Sequence, residues 1–62
     1  MYATIKKILE EKGLTFYNLS KMTGIRESVF SNLKTRGGAL SFDNAVKVAD
    51  ALNIPLTDLK GG

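Results

Sequence analysis

The chain contains no cysteine and no histidine. Without cysteine there is no disulfide staple and no thiolate metal site. Without histidine the commonest general base and metal ligand is missing. The acids do not compensate, because they show no clustering of the kind that raises a carboxylate pKa. No glycine-rich phosphate loop sits between a strand and a helix. These absences argue against an enzyme, and no metal, cofactor or small-molecule ligand is expected. Long apolar runs are also missing, so no segment reads as a membrane span. Lys6 and Lys7 interrupt the first apolar stretch, which removes a signal-peptide core. A soluble, cytoplasmic protein without a membrane partner is the expectation.

What is present fits one small domain over residues 1–62. With 44% hydrophobic residues, the chain has enough apolar side chains for a single core. Its net charge of +3 is modest, and its distribution says more than its size. Residues 21–36 hold Lys21, Arg26, Lys34 and Arg36 against one acid, Glu27. Residues 37–62 hold Lys47 and Lys60 against Asp43, Asp50 and Asp58. The positive charge therefore collects in one segment, as on a surface that faces phosphates.

That segment lies within the stretch that organises the chain, Leu14 to Leu33. It reads as two short helices joined by a tight turn. Thr15 is a good N-cap, and the first of the two helices, about Phe16 to Thr23, is expected to carry Leu19 and Met22 inward. Gly24 supplies the positive φ that a sharp turn needs. Ile25 follows as a buried plug. The second helix, about Glu27 to Thr35, places Phe30 and Leu33 inward with Val29 at the edge. Its other face carries Ser28, Ser31, Asn32 and Thr35, all short and polar. Such groups let a helix sit close to a surface such as the floor of a DNA major groove. A plain solvated face is the blander alternative.

Around this pair the rest of the chain also reads as helix. A helix from about Tyr2 to Lys12 buries Ile5, Ile8 and Leu9, and Gly13 with Leu14 forms a Schellman-type stop. Lys6–Glu10 and Lys7–Glu11 are spaced for weak surface pairs. Arg36-Gly37-Gly38-Ala39 is a loop. Its glycines either let the backbone approach a phosphate or serve only as a helix stop and turn. Ser41 caps a fourth helix with Asp43 in its first turn. Phe42, Ala45, Val48, Ala49 and Leu52 are expected to face the core. Asn53 takes the left-handed stop position, and Pro55 suits the first position of a short helix ending near Leu59. Lys60-Gly61-Gly62 is expected to fray.

The pattern Leu14-Thr15, Leu19-Ser20, Gly24-Ile25, Phe30 and Leu33 resembles the Cro/C1-type (Xre family) helix-turn-helix, as do Ser41-Phe42 and Ala51-Leu52-Asn53-Ile54 further on. The resemblance covers roughly Ile5 to Leu59. It implies an all-α, five-helix, lambda-repressor-like fold with a helix-turn-helix at 15–35. It also implies a sequence-specific DNA-binding domain of the kind found in bacterial and phage regulators. Three positions depart from the family. Phe16 stands where a glutamine often approaches the DNA backbone, so a contact there falls to backbone N–H groups. Arg26 replaces the usual capping serine or threonine. Leu9 and Lys34 replace a buried arginine–glutamate pair, so the Lys34 stem is expected to lie on Leu9 with its ammonium in water.

The leading functional expectation is a repressor or Cro-like regulator with the recognition helix, 27–35, in the major groove of an operator. The candidates for base contact are Arg26, Glu27, Ser28, Val29, Ser31 and Asn32. Glu27 has a second reading, as an acid that suits the helix dipole. Thr15, Phe16, Tyr17, Lys34, Thr35, Arg36 and Gly37 are expected along the DNA backbone. Tyr17 has two readings, as a phenolic donor or as a packing residue. Ile54, Pro55, Leu56 and Leu59 are expected to form a homodimer contact on DNA. The alternative is a protein-interaction, antitoxin or adaptor module that uses the same bundle.

Overall fold

The computed structural model describes residues 1–60. Among these the chain forms five helices and no strand: α1 (Tyr2–Lys12), α2 (Phe16–Thr23), α3 (Glu27–Arg36), α4 (Phe42–Leu52) and α5 (Leu56–Lys60). The all-α expectation is met. Fraying was expected at Lys60-Gly61-Gly62. Lys60 is the last residue of α5, and Gly61 and Gly62 lie outside the described residues.

Each helix end follows from local chemistry. At the end of α1, Gly13 is left-handed (φ 72°) and donates to the Glu10 carbonyl at 3.2 Å, while Leu14 N–H reaches the Leu9 carbonyl at 2.8 Å. This is the paired Schellman closure. Asn53 closes α4 in the same manner, at φ 57° and ψ 45°, with Ile54 N–H on the Ala49 carbonyl at 3.0 Å. The Ser41 hydroxyl accepts the Asn44 N–H at 3.3 Å and starts α4. Pro55 stands just before α5 rather than at its first position, and its carbonyl accepts the Asp58 N–H at 3.0 Å.

α4 packs against α2 and α5, α2 against α3, and α1 against α3. Every helix gives to one core: Ile5 and Leu9, Leu19, Phe30 and Leu33, Ala45, Val48, Ala49 and Leu52, and Leu59, with Ile25 plugged in from the turn. Two expectations fail here. Phe42 is 69% exposed. It is the first residue of α4, and helical side chains lean toward the N-terminus, so its ring projects past the core instead of into it. Met22 is 49% exposed. The inward stripe of α2 runs through Phe16, Leu19 and Thr23, and Met22 falls roughly 90° round the helix from its middle.

Two long-range ties add to the core. Tyr2 stacks on Phe16 with ring centroids 5.0 Å apart, and Phe16 meets Phe30 at 5.5 Å, tilted by 45°. One aromatic column thus joins α1, α2 and α3. The Met1 sulfur accepts the Leu40 N–H at 3.3 Å, which ties the start of the chain to the loop after α3.

Candidate nucleic-acid interface

The geometry of α2 and α3 is fixed by side chains at the cap of α2 and in the turn that follows it. Thr15 caps α2 in a capping box. Its hydroxyl accepts the Asn18 N–H at 3.1 Å and donates to Asn18 Oδ1 at 2.9 Å, and Oδ1 also accepts the Thr15 N–H at 3.0 Å. The box leaves the N–H groups of Phe16 and Tyr17 outside it. The turn is closed by Gly24 at φ 76°, whose N–H meets the Ser20 carbonyl at 2.8 Å. The hydroxyls of Ser20 and Thr23 hold it from both sides. Ser20 donates to the Ile25 carbonyl, Thr23 donates to the Leu19 carbonyl at 2.8 Å, and Ile25 N–H donates to the Thr23 hydroxyl at 3.2 Å. The backbone N–H and carbonyl of Ile25 are therefore paired within the turn, which lets its side chain bury.

α3 starts at Glu27 even though Arg26, in its N-cap position, supplies no side-chain cap. Phe30 and Leu33 are buried, and Val29 is half-buried against the core. Glu27, Ser28, Ser31, Asn32, Lys34, Thr35 and Arg36 are all exposed. At about 100° per residue, Ser28, Ser31 and Thr35 mark the middle of the outward face, Lys34 one flank and Arg36 the other. The result is a stripe of short uncharged side chains between two cations, with the acid Glu27 beside Lys34 at one edge. Such a surface approaches another surface closely at its centre and meets negative charge at its edges.

The structure also shows which expected contacts have donors to spare. The Thr35 hydroxyl turns back onto α3 and donates to the Ser31 carbonyl at 3.0 Å. The Thr15 hydroxyl is committed to Asn18. Gly37 N–H donates to the Leu33 carbonyl at 3.0 Å, and Gly37 lies at φ 73° and ψ −158°. Gly37 is thus a helix stop whose amide is used. The Phe16 ring is part of the aromatic column, whereas Tyr17 is 56% exposed. Arg26, Lys34 and Arg36 are exposed and flank α3 at its start and end.

One member of the expected dimer contact is corrected. Leu59 is only 1% exposed, because α5 folds back onto α4 and spends this side chain in the core. Ile54 and Leu56 are half-buried, and Pro55 is exposed. The roles of Ser20 and Thr23 in the turn and of Tyr2 in the aromatic column are additions that the sequence reading did not reach. Two hydroxyl residues shortly before the turn glycine were the available signal for the first.

Among the described residues, no helix is long and apolar enough to cross a membrane. No curated protein and no solved structure matches the chain. The model of the Cro/C1-type helix-turn-helix DNA-binding domain matches residues 4–60, which takes in α2 to α5 and all of α1 but Tyr2 and Ala3. With a capped α2, a glycine turn and an outward-facing α3 in that arrangement, the chain belongs to the Cro/C1-type helix-turn-helix DNA-binding domain family.

Proposed function

We propose that this domain, residues 1–62, acts as a sequence-specific transcriptional regulator of the repressor or Cro-like kind, working in the cytoplasm by occupying an operator. The observation that carries the proposal is the outward face of α3, where short uncharged side chains lie between the edge formed by Lys34 and Glu27 and the edge formed by Arg36. Docked in a major groove, Ser28, Ser31 and Asn32 face base edges. Val29, half-buried, presents its methyls to a thymine methyl, and Arg26 reaches a phosphate or a guanine edge. Glu27 either accepts from a cytosine amino group or complements the dipole of α3. Along the backbone, Lys34 and Arg36 supply charge, Tyr17 supplies an exposed side chain, and the first-turn N–H groups of Phe16 and Tyr17 offer donors. Thr15 and Gly37 serve the same surface indirectly, by fixing the ends of α2 and α3. Thr35 joins the contact by releasing its back-bond to Ser31.

A domain this small spans only a few base pairs, so two copies on DNA give the needed selectivity. Ile54, Pro55 and Leu56 form the contact between copies, and half-sites lie about 34–36 Å apart on one face of the duplex. Selection of bound duplexes from a random pool tests both points. The expected result is an enriched motif repeated with two-fold symmetry at that spacing. A pool that stays random under repeated selection refutes sequence-specific binding, and a single unrepeated short motif refutes the dimer.

A further inference from the structure

Lys21 is exposed on α2, and its ammonium lies 5.4 Å from the centroid of the Tyr17 ring, one helical turn earlier. Tyr17 is itself 56% exposed. Lys21 is the only charged residue of α2, so no acid on its own helix neutralises it. A free lysine on a surface samples many rotamers and loses that freedom when it binds. A ring that already attracts the ammonium removes part of that loss and leaves N–H donors directed away from the ring. In a helix-turn-helix, the helix before the turn crosses the DNA backbone. The Phe16 and Tyr17 N–H groups outside the capping box lie one turn before Lys21, at the positive end of the α2 dipole.

We propose that Lys21 is a further phosphate-contacting residue, and that Tyr17 positions it through its ring rather than by donating its phenolic O–H. This rests on the DNA-binding reading above and refines it in two ways. It adds a residue to the backbone contacts, and it changes the chemistry assigned to Tyr17. The competing reading is an exposed i, i+4 cation–π pair that steadies α2 and meets no ligand.

The test is a set of anisotropy titrations on a short random-sequence duplex at several salt concentrations. The proteins are wild type, K21A, Y17F, Y17A, the K21A/Y17A double variant and K34A. Loss of one phosphate contact makes the log–log salt slope shallower by about 0.9. Between about 50 and 200 mM salt, the gap between wild type and K21A therefore shrinks about 3.5-fold, which is four raised to the power 0.9. Y17F keeps the ring and should retain more affinity than Y17A. Y17A should bind more weakly, and the weakening should vanish in the K21A background. An unchanged slope in K21A beside a reduced slope in K34A overturns the role of Lys21 and leaves the DNA-binding reading intact. Y17F as weak as Y17A assigns the phenol and overturns the positioning role. A Y17A effect that persists in K21A does the same. A wild type that does not bind the duplex at any salt overturns the DNA-binding reading, and this proposal with it.

Discussion

The turn between α2 and α3 rests on one backbone conformation, and its worth can be worked from the structure. Gly24 lies at φ 76° and ψ 4°, and a Cβ added there meets nothing within 4 Å. Sterics with neighbours therefore contribute nothing, and the cost of Gly24→Ala is the left-handed conformation itself, about 1–2 kcal/mol. The loss of a glycine's freedom in the unfolded chain returns about 0.4–1 kcal/mol. The net is a destabilisation of about 1 kcal/mol, or roughly 4–8 °C in Tm for a domain of this size. Asparagine tolerates the left-handed region, and Asn53 already occupies it in this chain. Gly24→Asn should therefore lose less than Gly24→Ala. Gly37 makes the control. It also has free space at the missing Cβ, but its ψ of −158° puts it in a region that is essentially glycine-only. Alanine and asparagine should both cost about 1–3 kcal/mol there, with no rescue by asparagine. Thermal melts followed by circular dichroism measure all four variants. Gly24→Ala as stable as wild type, or equal losses for alanine and asparagine at Gly24, would refute the conformational argument.

Other expectations follow from the same coordinates. Thr15→Ala removes the capping hydroxyl and should cost about 1 kcal/mol in urea denaturation, while Thr15→Ser should retain most of the stability. Leu59→Ala should cost about 2–5 kcal/mol in the same assay, because the side chain is buried within one copy; loss of pairing on DNA without loss of stability would contradict its place in the core. Leu56→Lys should instead reduce cooperative occupancy of paired half-sites in footprinting, with a much smaller change in stability. Equal binding to paired and single sites by wild type and variant would argue against this surface as the contact between copies.

Much of the fold was readable because its punctuation is local. Gly13, Gly24 and Asn53 each stop a helix by adopting positive φ, and each is a residue type that takes that conformation readily. Thr15 and Ser41 are caps by side-chain chemistry alone. The misreadings arose where periodicity was extrapolated to positions that only tertiary packing decides. Phe42 continues the apolar spacing of α4, but it stands at the helix start, beyond the reach of the core. Met22 is spaced correctly from Leu19, yet α2 turns the half-buried Thr23 toward the core and leaves Met22 exposed. Leu59 looked like surplus apolar surface because nothing local shows that α5 folds back on α4. At the site, the exposed stripe of α3 was predictable from spacing. The commitment of the Thr15, Thr35 and Gly37 donors was not, since it depends on actual distances.

The central claim is that α3 reads bases through its uncharged stripe while the cations beside it hold the backbone. Asn32 and Lys34 are two positions apart, and both are exposed, so neither substitution should disturb the fold. In the proposed docking Asn32 makes a bidentate contact to adenine, and such a contact discriminates by roughly 1–3 kcal/mol. The direct measurement is the affinity of N32A and K34A for a selected duplex and a scrambled one across a range of salt. The account predicts that N32A weakens the selected duplex by that amount, relaxes the choice at one base position and leaves the scrambled duplex unchanged. K34A should weaken both duplexes alike and reduce the salt slope by about 1. Equal losses on both duplexes for N32A would contradict base reading by α3.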